Sequence, residues 1–449
     1  MDTPICDFVR AYADSGTLRL HMPGHKGVNR LGAEQLDITE ISGADSLYEA
    51  GGIIARSEEN ASRLFGCRTL YSAEGSSQCI RAMVYLAQLH AKGQGRAPRI
   101  AAGRNAHKTF LTAAGLLDVP VQWLYPREHA GYLSCILTPD VLEEQLAELK
   151  PTAVYLTSPD YLGIIPDIRA LAEVCHRHDA LLLVDNAHGA YLRFLPESRH
   201  PMDLGADLCC DSAHKTLPVL TGGAYLHLSS TMEASVGEQA KGAMMLFGST
   251  SPSYLILQSL DGANRYLEEY PLILAGFLPR VAALRERLHR RGFLLQAQEP
   301  LKLTLSAKPY GYTGTELAAL LRQSCMEPEF ADEDHLVLML TPELGEAALE
   351  RIGDTLCAIA PREPTTGRMP VFRRPRQALS IREAMLAPSR RLPVGECLGH
   401  ILAIPSVGCP PAVPILVCGE VIDEHAQQLL RRYGIESCWV VREGAGSWN

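Results

Sequence analysis

The sequence predicts an α/β fold built on a mostly parallel sheet, followed by a smaller α+β region. Three observations carry this expectation. Short apolar runs alternate with amphipathic helical stretches up to about residue 228, the pattern of a sheet covered on both faces. His107, Ser158, Asp185 and Lys215 each fall just after such a run, where open α/β sheets bind ligands. The chain has 449 residues, 47% of them hydrophobic and 21% charged, enough for two or three domains with an ordinary core.

Residues 1–70 form an N-terminal segment rich in glycine and mixed polar residues, without a long helical period before Ile53. Ile53 to Phe65 reads as a helix stopped by Gly66. His21 and His25 stand four apart, a metal-ligand spacing on a helix, but Pro23 and Gly24 between them argue against a helix, and no metal is expected. Next, Gly75-Ser76-Ser77-Gln78 opens a helix running to His90. A Gly-Ser-Ser turn there offers backbone N–H groups, hydroxyls and the positive end of the helix dipole, so it suits a phosphate as well as plain N-capping.

Arg99–Gly103 is a strand, and Arg104-Asn-Ala-His107-Lys108 starts a helix. Val119–Tyr125 is a strand, and Thr138-Pro139 opens a helix to Leu149. A strand from Pro151 to Thr157 precedes a helix starting at Asp167, with Ile168, Leu171, Ala172 and Cys175 on one face. Leu181–Val184 is a buried strand ending in Asp185. The apolar run from Leu208 leads into Ser212-Ala213-His214-Lys215, and Gly222-Gly223 introduce a further strand. A long helical region follows, Leu255–Tyr270 and Leu272–His289, of the kind that joins two domains.

Residues 291–361 alternate strands (Leu301–Leu305, Leu336–Leu340) with helices (Thr315–Gln323, Glu343–Ile359), a small α+β domain. Residues 362–391 carry eight Arg against two Glu and read as a basic linker on the surface. Residues 392–449 make a C-terminal domain whose tail, Val413 to Val441, reads as strand, helix, strand. The large domain spans residues 71–290.

A net charge of −9 and a pI of about 5.9 argue against nucleic acid or an anionic membrane as partner. No apolar run reaches about 18 residues, so no membrane span is expected. The N-terminus lacks a basic and apolar leader, and the thirteen cysteines show no C-x-x-C spacing. Reduced thiols and a cytoplasmic location follow as expectations.

An acid at one strand end and a lysine after a later one is what a pyridoxal 5′-phosphate site needs. The lysine bonds the cofactor's aldehyde, and the acid keeps the pyridine nitrogen protonated. Asp185 and Lys215 are those residues, although Lys215 taken alone would read as a solvated loop lysine.

Together the motifs resemble the Orn/Lys/Arg decarboxylase family, the fold-type I pyridoxal phosphate enzymes acting on basic amino acids. The match is collinear over most of the chain. It runs through His21-Met-Pro-Gly-His-Lys-Gly27, Asp37-Ile-Thr-Glu40, Arg104-Asn-Ala-His-Lys108 and Asp185-x-Ala-His188. It continues through Ser212-x-His-Lys215, Thr250-Ser-Pro-Ser-Tyr254, Leu379-Ser-x-Arg-Glu-Ala384 and Gly419-Glu-Val-Ile422. The resemblance implies a fold-type I large domain and decarboxylation of lysine, ornithine or arginine, in polyamine metabolism. It makes Lys215 the Schiff-base lysine, Asp185 the partner of the pyridine nitrogen, and His107 the residue stacked on the ring. Ser76, Ser77, Ser212 and His214 hold the phosphate, with Gln78 and His188 beside the cofactor. Lys215 or His214 returns the proton to Cα. Thr250 and Ser251 reach the partner subunit's phosphate, so a homodimer or a multiple of it is implied. A lyase or aminotransferase reaction on the same fold is the alternative.

This chain departs from the family pattern at four places. Asn186 stands where relatives have Glu, and Glu74 where they have Asn. Ile404 and Cys409 replace an acid and a tyrosine in the C-terminal domain, which helps shape the substrate pocket in relatives.

Overall fold

Seven strands form the large sheet: β1 (Arg68–Ser72), β2 (Ile100–Gly103), β3 (Val121–Leu124), β4 (Ala153–Thr157), β5 (Leu181–Asp185), β6 (Leu208–Asp211) and β7 (Ala224–Leu228). Their order in the computed structural model is β1-β7-β6-β5-β4-β2-β3. The structure describes residues 1–127, 131–296, 298–365, 373–404 and 412–442. Pairing is parallel between β2 and both β3 and β4, and between β5 and β6, while β7 runs antiparallel to β6 and β1. The mostly parallel sheet expected from the sequence is present. Every residue of β5, β6 and β7 is buried, which is why these strands read as continuous apolar runs.

The chain divides into two compact units, Met1–Ala97 with Leu181–Gly276, and Pro98–Ala180 with Phe277–Asn449. In the first unit, the helix Ile53–Phe65 ends at Gly66, whose φ of 72° is the left-handed cap expected of glycine. A helix at Pro4–Asp14 was not legible in the sequence. Its first turn is capped from far along the chain: the Asp261 carboxylate accepts from the N–H of Ile5 (3.0 Å) and Cys6 (2.9 Å).

The long helical region is one helix, Tyr254 to Arg291, which runs through Pro271. Leu267, Tyr270, Leu274, Phe277, Val281, Leu284 and Leu288 are all buried, at steps of three or four residues. A continuous buried stripe on one face holds the helix in register past the hydrogen bond that proline removes.

The second unit carries an antiparallel sheet of β8 (Leu294–Gln296), β9 (Lys302–Ser306), β10 (Phe330–Ala331) and β11 (His335–Met339), in the order β10-β11-β9-β8. Helices Gly314–Gln323 and Gly345–Ala358 accompany it, the first opened by a Thr313–Glu316 capping box. A third sheet is made of β12 (Ser389–Pro393), β13 (Leu402–Ile404) and β14 (Ser437–Val441), ordered β12-β14-β13.

Two readings of this region change. The basic stretch is not linker throughout: Ser380 and Glu383 form a capping box for the helix Ile381–Leu386, and β12 begins at Ser389. The strand expected after Val413 is instead an irregular buried segment, with Val413, Ile415, Leu416, Val417 and Cys418 all buried. Side chains satisfy its backbone where a sheet would have done so. Arg104 donates to the carbonyls of Pro414 and Ile415, both at 3.2 Å, and Glu420 accepts from Val417 N–H at 2.7 Å. Arg104 and Glu420 pair at 2.9 Å. Among the described residues, no helix is long and apolar enough to cross a membrane.

Candidate active site

Within the first unit, β5 and β6 pair so that Asp185 lies opposite Cys210. Side chains on a strand alternate, so Asp185 and Cys210 share one face while Asn186 and Asp211 share the other. Asp185 is buried, and its Oδ1 accepts from Ala187 N–H (3.2 Å) and from the Cys210 thiol (3.7 Å). Burial and then the Asp185 carboxylate push that thiol far above its ordinary pKa, so it stays a donor.

The chain leaves β6 through Ser212 and the single turn Ala213–Thr216, which carries His214 and Lys215. Lys215 Nζ lies 3.1 Å from His188 Nε2, on the loop after β5. Lys215 is half-buried and His188 buried. The ring N–H at His214 Nδ1 donates to the Gly223 carbonyl at 3.0 Å, where the sequence places its glycine pair. Burial lowers the His214 pKa below the usual imidazole range; the Gly223 carbonyl opposes the shift and the Lys215 charge adds to it. At neutral pH this ring is uncharged, with Nδ1 carrying the proton.

Ser212 Oγ donates to Ser76 Oγ at 2.7 Å. Ser76 and Ser77 occupy the first turn of the helix Ser76–Gly93, whose N-cap Gly75 has no side chain and a φ of 72°. Two converging hydroxyls at the N-terminus of an 18-residue helix fit an anionic phosphate. With a buried carboxylate at one strand end and a lysine after the next, this donor set fits pyridoxal phosphate.

The other expected site residues fall in different surroundings. The Gln78 amide is spent inside the fold: it donates to Tyr48 Oη (2.8 Å) and the Met244 carbonyl (2.9 Å), and accepts from Ser72 Oγ (2.6 Å). Its evident work is to brace the cradle. A Cβ on Gly248 would stand 1.9 Å from Tyr48 Oη and 2.1 Å from Gln78 Nε2, so only glycine fits where the loop bearing Thr250 and Ser251 passes. Thr250 and Ser251 are themselves exposed. Glu74, in place of the family's Asn, accepts from Ser249 N–H at 2.6 Å and ties down the same loop. His107 belongs to the second unit, where Nδ1 caps its own helix by accepting from Thr109 N–H at 3.2 Å. Ile404 is 43% exposed at the end of β13, and Cys409 lies outside the described residues.

The sequence reading missed a polar network behind the site. Asp211 Oδ2 accepts from His200 Nε2 (3.0 Å) and His227 Nε2 (3.1 Å), and Oδ1 accepts from Asn186 Nδ2 (2.7 Å). All four residues are fully buried. The available signal was a histidine inside the apolar strand Ala224–Leu228, because a polar group in a buried run needs a partner.

The model of the Orn/Lys/Arg decarboxylase major domain matches residues 3–305. The chain belongs to the Orn/Lys/Arg decarboxylase family. Similar relatives include an arginine decarboxylase of Bacillus subtilis, 28% identical over 94% of this chain and 92% of its own length. Another, from Halalkalibacterium halodurans, is 28% identical over 96% of this chain and 93% of its own. Among solved structures, the Francisella novicida lysine decarboxylase superposes with a TM-score of 0.80 at 16% identity, covering 98% of this chain and 81% of that one. As a member of the Orn/Lys/Arg decarboxylase family the protein is a pyridoxal phosphate-dependent decarboxylase of basic amino acids, with a fold-type I architecture. The alternative of a lyase or aminotransferase reaction is not favoured.

Proposed function

We propose that Lys215 bonds the cofactor's aldehyde, that Asp185 faces its pyridine nitrogen, and that the enzyme decarboxylates arginine. The observation that carries the site assignment is Lys215 Nζ at 3.1 Å from His188 Nε2, on the strand-end loop next to Asp185. The names of the two bacterial relatives support arginine as substrate.

When bound, pyridoxal phosphate supplies a protonated ring that accepts the electron pair released as CO2 leaves. Every other part of the chemistry belongs to side chains. Asp185, buried and acceptor-only, holds the proton at the pyridine nitrogen. Ser76, Ser77 and Ser212 bind the phosphate at the helix N-terminus. His214 fixes the turn through Gly223, and its lowered pKa leaves the ring neutral at neutral pH, without an extra proton to give. That supports Lys215, in contact with His188, as the group returning the proton to Cα. Gln78 serves the phosphate site only by bracing its turn, its amide being bound to Ser72, Tyr48 and Met244.

Reduction with borohydride and peptide mapping tests the assignment. The pyridoxyl group is expected on Lys215; finding it on Lys26 or Lys108 overturns the proposal. A CO2-release panel over arginine, lysine and ornithine is expected to give its highest kcat/KM with arginine and to form its decarboxylated amine. Higher turnover of lysine or ornithine overturns the substrate choice.

The proposal includes a homodimer, or a multiple of it, in which Thr250 and Ser251 reach the partner's phosphate. Leu18, Leu20 and Leu31 of the N-terminal segment are 79%, 86% and 94% exposed, apolar surface that a second copy would cover. Sedimentation is expected to find activity only in dimers or larger species, and a fully active monomer refutes the assembly. A cytoplasmic location and a role in polyamine supply complete the reading.

A further inference from the structure

Asn186 stands between the two carboxylates of the site region, one residue after Asp185 and against Asp211. Its backbone N–H donates to the Cys210 carbonyl at 3.0 Å, and its own carbonyl accepts from Gly189 N–H at 2.8 Å. Its Nδ2 donates to Asp211 Oδ1 at 2.7 Å. The amide cannot be reversed, because its oxygen would then meet a carboxylate oxygen. In this orientation Asn186 Oδ1 is buried without a hydrogen-bond partner. An orphaned buried acceptor is costly, and a hydrogen bond to a charged group offsets that cost. What the side chain contributes at this position is its N–H donor. The loop accommodates that side chain only because residue 189 is glycine: a Cβ there would lie 1.9 Å from Asn186 Oδ1.

Asp211 can serve as this anchor because its charge is held on the other side. His227 Nδ1 faces Thr69 Oγ1 at 2.9 Å, and the Thr69 hydroxyl donates to the Cys67 carbonyl at 3.2 Å. With Nε2 donating to Asp211, a proton on Nδ1 would point at Thr69 Oγ1 and give the ring a charge. Burial works against that charge, but the Asp211 carboxylate outweighs it and raises the His227 pKa. Burial likewise opposes ionisation of Asp211, yet His200 and His227 hold its carboxyl well below the usual range.

We propose that Asn186 is a positioning residue: by donating to Asp211 it locks the end of β5 to the end of β6 and holds Asp185 and His188 in place for Lys215. The inference rests on the site roles proposed above. It also gives a use to the departure from the family's Glu at this position, since a neutral donor here needs no shared proton with Asp211.

The test is Asn186→Asp, with Asn186→Ala as a control that removes the bond without adding charge. The titratable groups facing this position are Asp211, His200, His227 and Cys209, with Cys67 behind His227 and Asp185 one residue back. In the folded variant the introduced carboxyl and Asp211 share one proton, at a pKa raised above the unfolded value of about 3.9. The folded state then binds more protons than the unfolded one, so the variant loses stability as pH rises. The cofactor-free Asn186→Asp protein is expected to melt closest to wild type at about pH 4, and progressively below it as pH rises from there. Asn186→Ala is expected to show a pH-independent offset. With cofactor, kcat/KM of Asn186→Asp is expected to fall about tenfold or more at about pH 8 and to recover on acidification.

A melting offset for Asn186→Asp that does not change with pH overturns the proposal. So does a pH-dependent offset with an unchanged kcat/KM profile, because the lock would then exist without positioning the site. One equivalent of zinc per chain also overturns it, since His200, Cys209 and Asp211 would be spending these atoms on metal. Failure of the site assignment itself is distinguishable: wild-type Lys215 would remain unlabelled by borohydride.

Discussion

Replacing Asp185 by asparagine is expected to lower kcat by orders of magnitude while leaving the fold, the bond between Lys215 and the cofactor, and KM little changed. The side chain keeps its volume. An amide oxygen at the Oδ1 position still accepts from Ala187 N–H and from the Cys210 thiol, so neither local contact is lost. What disappears is the buried negative charge that, in the proposed site, holds the pyridine nitrogen protonated. One pKa unit corresponds to about 1.4 kcal/mol, so a shift of several units on that nitrogen accounts for a loss of several powers of ten. The loss falls on the chemical step, which steady-state kinetics separates from binding. Near-normal turnover by Asp185→Asn would make Asp185 a structural cap and move the pyridine nitrogen elsewhere.

Replacing Glu420 by alanine is expected to destabilise the second unit by about 3–5 kcal/mol, the cost of breaking a buried ion pair by removing one partner. Arg104 would remain buried without its counter-charge, and Val417 N–H would lose its acceptor. Burial lifts the Glu420 pKa above the usual carboxylate range despite the opposing pull of Arg104. The charge is therefore expensive to hold, and most of its value lies in the hydrogen bonds it organises. Glu420→Gln keeps an acceptor for Val417 and Arg104 and is expected to lose less than half as much as Glu420→Ala. The shift of the earliest calorimetric transition checks both variants, and equal losses would show that charge outweighs geometry at this position.

These residues also explain two of the sequence motifs. Arg104 opens Arg104-Asn-Ala-His-Lys108, and Glu420 stands in Gly419-Glu-Val-Ile422. They are separated by hundreds of residues, yet they form one contact, and Lys108 N–H donates to the Ala412 carbonyl at 3.1 Å beside it. Neither motif displays the other as its partner, because an ion pair has no local period.

The sequence by itself determined the parallel strands, the strand-end position of Asp185 and the turn that carries Lys215. Each depends on local rules: apolar runs for strands buried on both faces, glycine at left-handed caps, and ligand groups at strand ends. It also determined the family, through motifs in a fixed order. Only the tertiary structure decided what satisfies the groups these rules leave open. Asp261 caps the helix at Pro4, a buried stripe carries the helix Tyr254–Arg291 past Pro271, and Arg104 replaces a sheet for residues 414–415. The Gln78 amide turns inward to Ser72, Tyr48 and Met244, and Asn186 finds Asp211. The physical reason is the same in each case. A buried polar group needs a partner, but the partner's position in the chain is set by packing, and no local pattern records it.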